Sequence, residues 1–170
     1  MHTLMLANTG VPMFIVLGPV FAMAFIPIVV IETWILRRRL SLPLQHSLAH
    51  AFVANVFSTL IGVPITYVVL LILQLATGGG GAYGPSWLSV TWQAPWLIPY
   101  EEHLGWMIPS AALFLCFPFF VVSWASEAWV LRRRLKDKDR KQVSRATLLA
   151  NATTYALMAA FWLARLYLNT

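Results

Sequence analysis

Two glutamates stand inside otherwise apolar runs, Glu32 in the first and Glu127 in the third of the long hydrophobic stretches. A carboxyl in such a run costs free energy unless it is paired or protonated. It therefore holds a proton, binds a cation or anchors a helix through hydrogen bonds. Each acid is followed five residues later by a triple arginine: Glu32 by Arg37, Arg38 and Arg39, and Glu127 by Arg132, Arg133 and Arg134. On a helix that separation is about 7–8 Å along the axis. The acids then lie just inside the boundary at which arginines reach lipid phosphate oxygens. Transport sites usually sit nearer the midplane, so this depth favours anchoring over proton or cation binding. Asn55 and Asn151 follow in the next apolar run of each half, and the expectation is that each glutamate meets the Asn of its own hairpin or an arginine of the other half.

His46 and His50 are four residues apart, a spacing that suits a metal or haem iron on one helix face. Their counterparts in the second half are Gln142 and Ala146, and no third ligand is near in sequence. The pair is better explained as interfacial histidines touching lipid headgroups. His103 beside Glu101 and Glu102 is a further metal candidate on one short cluster, and no metal or cofactor is expected. Cys116 lies in an apolar run, where burial disfavours the thiolate, and reads as packing. No phosphate-binding glycine loop, nucleophile elbow or His-Glu-x-x-His motif occurs. The only aspartates, Asp137 and Asp139, fall in the charged turn KDKDRK.

The elements that must position these residues follow from hydropathy. The 170 residues are 59% hydrophobic and 11% charged, with mean hydropathy +0.72. A soluble domain carries about 25% charged residues; this chain could not clothe a water-facing surface. Four runs, 11–36, 48–76, 105–131 and 146–168, have the length of a membrane span, which takes about 20 residues. Eleven of the twelve Lys and Arg lie in the two short connections, at 37–39 and 132–145, and residues 40–100 hold no charge at all. So concentrated a charge is a topology signal and a contact to anionic lipid heads, not a nucleic-acid surface. The positive-inside rule places both basic loops in the cytoplasm and the termini and the loop 77–104 outside, in a bacterial inner membrane or a thylakoid-like one. No cleavable leader is expected, because no basic stretch precedes the first apolar run.

The sequence ETWILRRRL at 32–40 recurs as EAWVLRRRL at 127–135, and VANVFSTL, with Asn55 and Ser58, is echoed by LANATTYA, with Asn151 and Thr154. The Glu-to-Asn spacing is 23 in the first copy and 24 in the second. A tandem duplication of a helical hairpin explains both. The two halves would be parallel-related about an axis along the membrane normal. The expected organisation is a first hairpin at 1–76, an outer Gly/Pro-rich aromatic loop at 77–104 and a second hairpin at 105–170: an all-α, four-helix membrane bundle. Asn55, Thr59, Gly62 and Thr66 in one helix, and Thr147, Asn151 and Thr154 in another, form small or polar stripes suited to close helix packing. A Glu before an arginine-rich turn with Asn and Ser in the following helix is similar to bacterial inner-membrane proteins built from repeated hairpins, a resemblance that implies no activity.

The outer loop holds Trp87, Trp92, Trp96, Tyr100 and, just beyond it, Trp106. Such density fits a segment lying flat on the membrane surface, or a docking surface for other membrane subunits. With little mass outside the membrane and no catalytic set, the expected function is a non-catalytic accessory or assembly subunit of a larger membrane complex. One alternative is a small proton- or ion-coupled transporter or channel using Glu32 and Glu127. The other is a redox or pigment cofactor carrier using His46, His50 or His103.

Overall fold

The computed structural model describes residues 11–76, 87, 90–94, 96–97 and 104–169. It is an all-α bundle of four helices: α1 (Met13–Leu40), α2 (Leu44–Ala76), α3 (Leu104–Arg134) and α4 (Arg140–Asn169). Each contains a segment long and apolar enough to cross a membrane, of 23, 33, 30 and 29 residues in chain order. A two-residue antiparallel pair, β1 (Val11–Pro12) with β2 (Trp96–Leu97), joins the start of the chain to the loop between the hairpins. The helices outrun the expected spans at the basic end, because α2 begins at Leu44 and α4 at Arg140. Polar residues there continue the helix rather than forming a loop.

The basic connections are accordingly shorter than hydropathy implied. The first is residues 41–43. Ser41 takes a left-handed conformation at φ 50°, and the Leu42 amide donates to the Arg37 carbonyl at 3.3 Å. That six-to-one bond closes the end of α1, in a position usually given to glycine. The second connection runs through Asp139, whose carboxylate accepts the Gln142 amide at 3.0 Å and caps α4. Both turns lie at one end of the molecule. There Arg134 Nε donates to His50 Nδ1 at 3.1 Å, and Gln142 Nε2 donates to the Arg39 carbonyl at 3.0 Å.

The helices form a ring in which α1 packs on α2, α2 on α3, α3 on α4 and α4 on α1. α1 and α3 thus stand at opposite corners. The inward face of α2 is Ser47, Ala51, Ala54, Asn55, Ser58, Gly62, Thr66 and Leu70, the period of one helix stripe. Small side chains let the neighbours approach: a β-carbon at Gly62 would sit 3.6 Å from Val122. Thr59, expected in that stripe, is instead turned so that its hydroxyl donates to the Asn55 carbonyl at 2.8 Å. The exposed residues are largely aliphatic and aromatic, such as Met23, Ile26, Leu60, Ile72 and Phe117. That is the surface of a helix facing lipid.

Two apolar clusters close the ends of the ring. At the basic end Leu36, Leu40, Ala51, Ala54, Leu131, Leu135, Val143 and Ala146 pack together. At the distal end Leu70, Met107, Ala111, Ala112, Leu115 and Trp162 do so, joined by Ala94 from the loop. Residues 92–94 of the loop are therefore tucked onto the bundle. Trp92 meets Phe114 edge to face at 5.8 Å, and Gln93 and Ala94 are buried.

Candidate functional site

Between the two apolar clusters the helices part around a cavity of about 330 Å³. Glu32 and Glu127, from opposite corners of the ring, both line it, and each is only 2% exposed. Their carboxyl groups face each other across the axis, close enough to share a hydrogen bond when one of them is protonated. Residues 95 positions apart are thus brought into contact on the bundle axis.

Each carboxyl is held by the same two kinds of donor. Asn55 Nδ2 donates to Glu32 Oε2, and the Thr154 hydroxyl reaches Glu32 Oε1 at 3.2 Å. Asn151 Nδ2 donates to Glu127 Oε2 at 2.7 Å, and the Ser58 hydroxyl to Glu127 Oε1 at 2.8 Å. The amide comes from the acid's own hairpin and the hydroxyl from the other. The expected Glu–Asn pairing is what the structure shows. The alternative pairing with an arginine is not: the triple arginines are exposed at the end of the bundle, beyond the apolar plug. A guanidinium would have to cross a packed layer to reach either acid.

Helix geometry explains why these positions converge. Ser58 and Thr154 each lie three residues after an Asn, so amide and hydroxyl share a helix face. Each Asn also uses its amide hydrogens locally, Asn55 on the Ala51 carbonyl at 3.0 Å and Asn151 on the Thr147 carbonyl at 3.2 Å. These second bonds fix the amide rotamers and aim the donors at the carboxyls. Asn151 Oδ1, fully buried, has no partner among the described residues.

Beyond the carboxyls the cavity wall turns apolar and aromatic. Phe25 comes from α1, Leu115 and Phe119 from α3, and Met158 and Trp162 from α4. Ser123 and Tyr155 contribute hydroxyls, bonded to each other at 2.9 Å. Among the described residues no Lys, Arg or His lines the space. Such an arrangement can hold a proton between two carboxyls, or a cation against them, in a medium of low polarity.

The other sequence candidates are dispersed. The arginines make cation–π contacts with the tryptophan one turn earlier: Arg38 over Trp34 at 5.0 Å and Arg133 over Trp129 at 4.1 Å. Both indoles are substantially exposed, so the Trp–Arg pairs flank the acids at the level where headgroups would lie. His46 is exposed and His50 accepts from Arg134; they are not drawn to the cavity. Among the described residues no group of three His, Cys, Asp or Glu could hold a metal. Of the aromatic loop residues, Trp87 is 60% exposed, while Trp92 and Trp106 pack partly against the distal cluster. His103, Tyr100 and the Trp96 side chain lie outside the described residues.

Sequence reasoning did not single out Ser123 and Tyr155, which carry no motif; it placed Ser58 only as an echo between the two copies, and Thr154 as that echo and as part of a packing stripe. The hydroxyl three residues after each Asn was the available signal, but its role across hairpins was not readable. No family model, curated protein or solved structure matches the chain.

Proposed function

We propose that this protein is a small proton- or cation-coupled membrane carrier or channel whose working groups are Glu32 and Glu127. The observation that carries this reading is the meeting of the two carboxyls at one end of a 330 Å³ cavity. Two purely structural anchors would need only their Asn and hydroxyl partners, and could lie apart. Two carboxyls in contact away from water hold one proton between them, since both cannot carry charge at such range. The pair then exchanges a proton for a bound cation.

The wall formed by α1 offers the access this reading needs. From Gly18 to Ile28 no described residue of α1 is buried, and Pro27 removes the amide that would bond to Met23. On the opposite corner Met107, Ala111, Ala112 and Leu115 of α3 are buried. The stretch of α1 from Gly18 to Ile28 is the part of the wall that can move with the least loss of packing. Two duplicated hairpins supply the pair of acids, and the charge rule sets the basic end in the cytoplasm, so that the cavity extends toward the outer face of a bacterial inner or similar membrane.

The test is flux. Purified protein in liposomes with a trapped pH dye is expected to dissipate an imposed proton gradient, and the Glu32→Gln/Glu127→Gln double variant to lose that flux at unchanged monodispersity. Equal flux in both would discard the reading.

A second reading, the accessory subunit of a larger membrane complex, is favoured by Trp87, an exposed indole beside two that are packed down. Mild detergent extraction at natural abundance separates the two readings. A particle far above 19.1 kDa plus detergent, with other polypeptides in fixed ratio, supports the subunit role. A lone monomer or small homo-oligomer removes it.

A further inference from the structure

The cavity carries more information than a proton pair requires. From the chemistry of its lining we infer that it is a binding site for a protonated primary amine with a compact apolar or aromatic body, seated with its ammonium on Glu32 and Glu127. The inference rests on the reading of the carboxyl pair as a working site, and goes beyond it by naming the ligand class.

Three features point the same way. The polar end presents acceptors: the carboxyl oxygens of both acids and, behind Glu127, the buried Asn151 Oδ1, which has no partner among the described residues. An amide oxygen left so is costly to desolvate unless a ligand or water donates to it. A primary ammonium has three donors and satisfies it together with a carboxylate oxygen from each acid. A quaternary ammonium has none and cannot. The charge matches as well. Two carboxyls that share a proton keep one negative charge, and among the described residues no basic side chain lines the cavity to neutralise it. A monocation does so.

The walls select the rest of the ligand. Phe25, Leu115, Phe119, Met158 and Trp162 form an apolar chamber adjoining the acids. Water alone fills such a space poorly, because each water needs two to four polar partners. Aromatic faces favour an organic cation's charged end and an apolar body alike. At 330 Å³ the chamber lies at the low end of small-molecule sites, about 300–1,000 Å³, which sets the ligand at one ring or a short branched chain. A metal ion is a poorer fit, since among the described residues no third His, Cys, Asp or Glu joins the acids. The titratable groups facing the chamber are Glu32 from α1, none from α2, Cys116 and Glu127 from α3, and Tyr155 from α4. Cys116 and Tyr155 are uncharged near neutral pH, so the acids alone set its charge.

The experiment is calorimetric titration of the purified protein in detergent with 2-phenylethylammonium, against benzyltrimethylammonium and 2-phenylethanol at the same concentrations. Saturable one-to-one binding of 2-phenylethylammonium is expected, with the other two bound about 10- to 100-fold more weakly, the cost of unmade charge-assisted hydrogen bonds. Glu127→Gln should weaken 2-phenylethylammonium by a similar factor. Ala22→Trp, on the exposed α1 wall of the cavity, should weaken it by filling space while leaving both acids intact. Equal binding of the primary and quaternary ions overturns the inference, as does binding untouched by both variants. Absence of amine binding in a protein whose proton flux still depends on Glu32 and Glu127 overturns the ligand while leaving the transport reading in place. Saturable amine binding without any flux upholds the ligand and removes transport.

Discussion

The two hairpins treat their glutamates alike and their cavity walls differently. In each, a Glu two residues before the Trp of a Trp–Arg pair accepts from an Asn of the same hairpin and a hydroxyl of the other. The helices carrying those acids then part company. α3 buries Met107, Ala111, Ala112 and Leu115 toward the distal end, while over its described length from Gly18 to Ile28 α1 buries nothing. The basic turns differ too: one closes on a left-handed Ser41, the other on an aspartate cap. What the hairpins share are the polar contacts at the carboxyls. What separates them is the packing that decides how firmly each wall of the cavity is held. Matched acids thus sit between walls of unequal firmness, α3 packed and α1 loose.

The largest test of that contrast is in the walls. Leu115→Ala, at 2% exposure, should cost about 2–5 kcal/mol of thermal or denaturant stability in detergent, as buried Leu truncations do. Met23→Ala, 79% exposed on α1, should change stability by no more than about 0.5 kcal/mol. Comparable losses would mean that the α1 wall is as firmly packed as the α3 wall, and the asymmetry would disappear.

The next test addresses the likeness. Asn55→Ala and Asn151→Ala each remove an amide donor to a buried carboxyl, at an expected cost of about 1–3 kcal/mol. The two costs should agree within about 0.5 kcal/mol if the acids are held equivalently. Adding Thr154→Val to Asn55→Ala should be non-additive, since both groups serve Glu32. Additive losses would show that amide and hydroxyl act on separate structures.

The smallest effect lies in the turns. Ser41→Gly relieves a left-handed residue and should raise stability by about 0.5–1 kcal/mol. Lys136→Gly, where no positive φ is present, should gain nothing. Equal responses in melting experiments would erase the distinction between the turns.

Much of the architecture could be read from residue order. Glu32 and Asn55 were expected to meet because both lie the same few turns from one short basic connection, and two helices leaving a tight turn pair their residues at equal depth. The register at the basic end was harder. Polar residues such as Gln45, His46, Lys141 and Gln142 look like loop in a hydropathy profile, yet they are helical because their hydrogen-bonded backbone continues below the apolar segment. The stripe of α2 was read correctly at Asn55, Gly62 and Thr66, with Ser58 rather than Thr59 buried between them. Thr59 and Ser58 are both small and hydroxylated, and only the angle at which α3 packs determines which faces the axis. The aromatic loop was read as a surface segment, and which of its residues pack was not legible: Trp92 and Ala94 meet an apolar cluster while Trp87 stays exposed.

The amino-acid order by itself determined that this is a membrane-spanning set of four helices with two acids at matched depth, because hydropathy and charge are properties of local composition. It could not determine that the acids touch. Their contact depends on ring order, on Ser58 and Thr154 reaching across between hairpins, and on the cavity left where aromatic walls fail to close. Those are consequences of how helices distant in sequence pack, and only the tertiary structure decides them.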